Sequence, residues 1–396
     1  MARRTLYRDG ALADGRSAEL RLGVSVLVED GHIAWIRPSD GEPDPGPGGD
    51  LEVVDAGGTA FVPGMVDSHS HLTLPGGSHW IERGSDPPEQ LLRVAEHNGE
   101  LMSRAGVRWA RDVGSPPGPD DEGTRRALSL GVRDEWRGRT DRPYVRAAGT
   151  WVAKAGYLPA LTVEASDARE LRAAAGRQLD DGADFVKLML DGPEPGVAPW
   201  TAEEVRPVVE DVHARGAKVT AHATYSACTR VCAEAGVDCI EHGFELDGDT
   251  ARLMAERGVA LSSTLAVMKS WLTFGRTTTL PRFVGEESER RIRDRLAVAQ
   301  EGVRNAHRAG VLIAAGTDFG GGSLRANQLA WEVEALVEAG LEPWEAVAAA
   351  TWHGGLVLGE PSAGVIAEGG PADFFLVHGD PLSDPSALWR VWRVAW

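Results

Sequence analysis

The sequence predicts an α/β fold built on a (β/α)8 barrel, with a small β domain assembled from both ends of the chain. Three observations carry this expectation. Eight short β runs alternate with helical stretches through the middle of the chain, the pattern of parallel βαβ units and the number of strands that closes a barrel. The two termini instead read as strands punctuated by Gly and Pro. Residue types that bind metals stand at the downstream ends of several central runs, where a barrel of parallel strands builds its active site.

Residues 20–36, LRLGVSVLVEDGHIAWI, read as two alternating strands joined by Glu29-Asp30-Gly31-His32, with Asp-Gly turn chemistry. A Pro/Gly loop at 38–50 leads to the strand LEVVDA. The eight central runs are FVPGMVDSHSH, VRWARDV, YVRAAG, FVKLML, KVTAHA, CIEHG, ALSSTL and VLIAAGTD, and Thr201 with Glu204 supplies a capping box for one of the helices between them. Gly364 to Glu368, ADFFLVHG at 372–379 and LWRVWRVAW at 388–396 read as further strands. The expected division is therefore 1–60 and 359–396 for the β domain and 61–358 for the barrel. Three connections are long: GSPPGPDDEG after the second run, DGPEPGVAPW after the fourth, and 268–286 after the seventh. Long ordered loops on the catalytic face serve as lids or substrate walls. No repeat at solenoid period is visible, which argues against a stacked array.

The 396 residues carry 41 Lys and Arg against 59 Asp and Glu, a formal charge of −18. That surface would repel nucleic acid and anionic membranes, so neither is expected as a partner. MARRTLYRDGALADG has no apolar stretch long enough for a signal peptide, and no later segment reads as a bilayer span, so the expected location is the cytoplasm. The three cysteines, Cys228, Cys232 and Cys239, suit reduced buried thiols better than a disulfide framework.

His69 and His71 lie two apart on a strand, so both side chains point the same way, as joint ligation of one ion requires. Lys187 lies inside FVKLML, a run apolar on both faces. Burial there favours the neutral amine, which can add carbon dioxide to become a carbamate able to bridge two metals. A salt bridge to Asp184 or Asp191 is the plainer alternative. His222 and His242 end the fifth and sixth runs and Asp318 the eighth, and imidazoles with a carboxylate suit zinc. Glu241 adjoins His242 and, by strand alternation, would face the opposite side as a supporting acid. His79, His97 and His353 lack strand-end placement.

HxH on the first strand, Lys on the fourth, His on the fifth and sixth and Asp on the eighth resemble the binuclear-metal amidohydrolase superfamily. FVPGMVDSHSHL, the stretch from WTAEEV through VTAHATYSACTR to CIEHG, VLIAAGTD and GVIAEGGPADFFLVHGDPL resemble its prolidase-like, imidazolonepropionase-related branch. The resemblance covers nearly the whole chain. It implies a (β/α)8 barrel with a composite β-sandwich formed by the two termini. It also implies two divalent ions, taken as zinc, with His69, His71 and Asp318 on the more buried one, His222 and His242 on the more exposed one, and carbamylated Lys187 between them. A hydroxide shared by the ions would be the nucleophile, Asp318 would move its proton, the exposed metal would polarise the carbonyl, and Tyr225 would donate to the developing oxyanion.

Prolidase-like relatives often carry a Gly-Gly-His element after the third strand, where this chain reads TWVAKAGYLPA with Tyr157 in the histidine's place. Trp80, Trp151 and Tyr157, expected in loops on the catalytic face, are candidates for an apolar substrate wall, and Arg325 for a carboxylate site. The expected activity is hydrolysis of an amide bond in a dipeptide (Xaa-Pro-like) or an N-acyl amino acid. Cyclic-amide or lactone hydrolysis, deamination, and a metal-free scaffold are the alternatives. The expected partner is a small-molecule substrate, and the resemblance suggests a homo-oligomer.

Overall fold

The computed structural model describes residues 4–43, 45, 50–118, 126–159 and 161–396. It opens with β1 (Arg4–Leu12), β2 (Arg21–Glu29) and β3 (His32–Pro38), then β4 (Leu51–Asp55) and β5 (Thr59–Pro63). The hairpin between β2 and β3 forms where Asp-Gly demands it: Asp30 and Gly31 have φ of 48° and 78°, and Glu29 pairs with His32 across the turn. Two consecutive left-handed residues match the twist of the flanking strands, which explains the choice of Asp-Gly.

A second set of strands follows: β6 (Met65–Ser70), β7 (Val107–Asp112), β8 (Tyr144–Ala147), β9 (Trp151–Lys154), β10 (Thr162–Ala165), β11 (Phe185–Met189), β12 (Lys218–Ala223), β13 (Cys239–His242), β14 (Ala260–Ser263) and β15 (Ile313–Ala315). The chain closes with β16 (Phe374–His378) and β17 (Val391–Val394). Each of the eight central runs contains a strand. FVPGMVDSHSH, however, is cut at Gly64 into β5 and β6, which enter different sheets.

All pairings within the second set are parallel, in the orders β6-β7-β8 and β10-β9-β11-β12-β13-β14-β15. The hydrogen bonding therefore gives two parallel sheets, not one uninterrupted eight-stranded ladder. At one seam the contact is an isolated parallel bridge between Ser70 and Phe319, with the Asp318 amide donating to the His69 carbonyl at 2.7 Å. At the other, Asp184 N donates to Ala147 O at 2.9 Å. Helices such as Ala202–Ala214, capped by the predicted Thr201/Glu204 box, connect the strands.

The terminal strands meet in a single seven-stranded sheet, β17-β16-β5-β1-β2-β3, with β4 also on β1. The pairing is continuous because β1 is long: Arg4–Arg8 pair with β4, while Ala11 and Leu12 pair with β5. Tyr7, Phe61 and Phe374 pack edge to face beneath it, with centroids 5.2 to 6.3 Å apart. Residues 364–368 are not a strand. Beside them the Ile36 amide bonds to the Glu368 side chain, so β3 meets no continuous backbone ladder there.

Candidate active site

The downstream ends of the parallel strands enclose a cavity of about 510 Å³. His69 and His71 reach it from β6 and the residue just past it, Lys187 from β11, His222 from β12, His242 from β13, and Asp318 from the segment after β15. Ligand atoms of His69, His242 and Asp318 lie within 4.8 Å of one another. His69 Nε2 and His71 Nε2 are 3.4 and 3.2 Å from Asp318 Oδ1. The six expected ligands thus share one cavity, although its tightest trio mixes residues expected on different ions.

Two of these residues have φ above zero, His242 at 72° and Asp318 at 52°. Such backbone is uncommon outside glycine and concentrates at functional sites. Close packing fixes the surroundings: a Cβ on Gly321 would collide with the His71 imidazole, so only glycine lets that segment pass the ring. Buried carboxylates pin the loop backbone as well. Asp67 accepts from Thr317 N and Oγ1 and from His69 N, and Asp112 from Leu72 N and Gly114 N. Burial pushes these two acids up, to about 7 and about 6.

The far nitrogen of each imidazole is held by protein. His69 Nδ1 lies 2.7 Å from Glu241 Oε2, His71 Nδ1 2.7 Å from Gly114 O, and His242 Nδ1 2.7 Å from Thr264 Oγ1. Acceptors at Nδ1 select the tautomer that leaves the Nε2 lone pairs of His69 and His71 facing Asp318. For His222 the order reverses: Nε2 is 3.1 Å from Asp191 Oδ2, which leaves Nδ1 as the available ligand atom. Burial lowers His69 and His242 below the usual imidazole range, favouring the neutral form that metals bind. Burial alone would raise Asp318, but the surrounding histidines outweigh it and hold the carboxyl below its usual range.

Lys187 is buried, and burial lowers its ammonium to about 8, with Glu241 opposing the shift and Arg111 adding to it. Asp184 pairs with Arg133 and Asp191 with His222, so neither forms the plainer salt bridge with Lys187. Neutral imidazoles, an ionised carboxylate and an amine easily neutralised form a donor set suited to divalent ions. These residues fit the metals that the resemblance implies.

Residues 60–394 match the amidohydrolase family. The chain belongs to that family. This amidohydrolase is 31% identical over 381 residues to an uncharacterized protein of Mycobacterium tuberculosis, covering 94% of both chains. It is 29% identical over 243 residues to the ochratoxinase of Aspergillus niger, covering 58% of this chain and 49% of the relative, so the chain spans about half the length of that enzyme. A crystal structure of a Xaa-Pro dipeptidase with bound methionine superposes with a TM-score of 0.81 at 23% identity, covering 98% of this chain and 97% of the other. Imidazolonepropionases are also among the relatives. Family membership makes the protein a hydrolase acting on carbon–nitrogen bonds.

In this amidohydrolase Trp80, Trp151, Tyr157 and Tyr225 line the cavity. Trp151 nonetheless belongs to β9, not to a loop; its Nε1 donates to Val113 O at 2.8 Å and its ring stands edge-on to His71 at 5.1 Å. Arg325 is a correction. Its guanidinium bonds to the Pro75 carbonyl and lies outside the cavity wall, because the segment after β15 turns back against residues 75–77. Glu241 is a supporting acid as read, but on the other side of its strand: it bonds to His69, Arg111 and Thr220. The left-handed backbone of His242 ends the strict alternation that would separate the two side chains.

Of the long loops, 191–200 contributes Asp191, Gly192, Pro193 and Pro195 to the wall. The 268–286 segment begins as the end of a helix, Leu265–Phe274, which contributes Val267 and Trp271, and continues through 275–285 as turns and coil. Residues 119–123 of GSPPGPDDEG lie outside the described residues. Arg111 and Arg295 stand close to the site, yet the sequence alone does not single them out as parts of it, and Asp191, read there only as a possible partner of Lys187, bonds His222 instead. Arg111 carries a detectable signal as a charge in a β run, whereas Arg295 sits on a helix whose approach to the cavity depends on tertiary packing.

Proposed function

We propose that this protein is a metal-dependent hydrolase that cleaves the amide bond of an apolar dipeptide or N-acyl amino acid. The observation that carries this reading is the convergence of His69, His71, Lys187, His222, His242 and Asp318 on one cavity. We read the two parallel sheets as one (β/α)8 barrel spanning 61–358, with 1–60 and 359–396 as the companion β domain. Those six side chains would hold two zinc ions, carbamylated Lys187 between them, and the ions would acidify water and polarise the scissile carbonyl.

Asp318 accepts a proton as water attacks and returns it to the leaving nitrogen, so that amide and water become acid and amine. Glu241 fixes the His69 ring through Nδ1 and Asp191 fixes His222 through Nε2. Tyr225, at the cavity wall, donates to the carbonyl oxygen as it gains charge. Trp80, Trp151, Tyr157 and Trp271 offer the apolar wall that receives the acyl group or side chain. The substrate is a small molecule, and no nucleic acid or membrane is part of this reading.

A panel of dipeptides, N-acyl amino acids, cyclic amides, lactones and amino-substituted heterocycles, assayed with zinc-loaded protein, tests it. Turnover of apolar linear amides is expected. Activity confined to the cyclic substrates or to deamination would overturn the linear-amide assignment, and a protein inert toward all of them and unable to retain zinc would be a scaffold.

A further inference from the structure

The cavity wall holds one cation that this hydrolysis leaves without a task. Arg295, on the helix Glu286–Ala309, is the one arginine among the described residues that line it. Its helix neighbours Arg293 and Arg304 pair with Glu289 and Glu301 at 2.6 and 2.7 Å. Arg295 makes no ion pair with a described acid. Its guanidinium carbon stands 5.6 Å from the centre of the Phe244 ring, and that ring is 5.3 Å from the His242 imidazole. The same aromatic ring therefore neighbours both the cation and a candidate metal ligand.

An aromatic face supports a guanidinium and limits its orientations, leaving its planar fork of donors for an anion. A carboxylate matches that fork with two parallel hydrogen bonds. Trp271 and Val267, which line the same cavity, can take an apolar group attached near that carboxylate.

We infer that Arg295 is a specificity-determining residue that selects substrates bearing a free carboxylate beside an apolar group. This rests on the proposed amide hydrolysis for the identity of the reaction, but the binding it requires is measurable without turnover. In the first arm, kcat/KM is compared for N-acetyl-phenylalanine and its carboxamide with zinc-loaded protein. The acid is expected to be favoured ten-fold or more, and Arg295→Met should remove that preference with zinc content unchanged. Arg295→Lys, which keeps the charge and loses the fork, should retain part of it and serves if the Met variant does not fold.

In the second arm, calorimetry compares 3-phenylpropanoate with 3-phenylpropanamide. The wild type should bind the acid at least ten-fold more tightly, and the variants should lose the difference in the same order. Equal handling of acid and carboxamide by the wild type, or a preference undiminished in both variants, would overturn the inference while leaving amide hydrolysis standing. Arg295-dependent binding of the acid in a protein that cleaves no amide would support the anion site and reject the proposed reaction.

Discussion

Lys187 concentrates the chemistry at the scale of a residue. It is buried on β11 beside Glu241, Arg111 and Asp318, and its ammonium is lowered to about 8. A cationic amine cannot bridge two cations, and a neutral one binds a single ion, so the proposed centre requires the carbamate. Lys187→Ala should lose metal and activity together, and a short carboxylic acid should restore part of both by filling the vacated bridge. Wild-type zinc content and turnover in that variant, measured side by side, would remove Lys187 from the centre. The ligand set is legible in the sequence because the histidines and Asp318 stand at the ends of β runs and Lys187 is a lone charge inside one, and parallel strands bring these positions to one face. Glu241 is only half legible, since strand alternation assigns it to the wrong side and nothing local announces the left-handed backbone of His242. Arg325 misleads for a related reason: its place after the eighth run is as expected, but the direction of its side chain is set by Pro75, 250 residues away.

At the scale of elements, the helix Leu265–Phe274 brings Val267 and Trp271 to the cavity, and a buried acid from another helix holds its start. Glu332, on Leu329–Glu338, accepts from Ser263 Oγ at 2.6 Å and from Ala266 N at 2.7 Å. Burial pushes its carboxyl up to about 7, against those hydrogen bonds and nearby Lys269. A folded-state value above the unfolded one means that the native protein binds more protons between roughly pH 4.5 and 7. Stability from this group is therefore greatest at the acid end and falls as pH rises through that window, by about 3 kcal/mol for a shift of this size. Glu332→Gln should flatten that part of the urea stability profile, measured on metal-free protein. An unchanged slope would show that Glu332 titrates normally. The eight runs and the Asp-Gly hairpin are readable from periodicity and turn chemistry. Strands β9 and β10 are not, because they lie in a stretch broken by Gly156 and Pro159 and pair with each other and with β11 only in the tertiary fold.

For the whole molecule, both ends of the chain join in one sheet, while the strands between them present their downstream ends to one cavity. That division is visible in the sequence as a change from strand-rich termini to alternating strands and helices. The arrangement of the terminal strands is less visible: sequence does not show that β1 is shared end to end by β4 and β5. Among the described residues no helix is long and apolar enough to cross a membrane. The central claim is that six residues, drawn from strand ends separated by as much as the length of the barrel, act as one two-metal centre. Elemental analysis of protein expressed with zinc and freed of loose metal tests it most directly. The proposal predicts close to two zinc ions per chain; a reproducible content near one with full activity would contradict it.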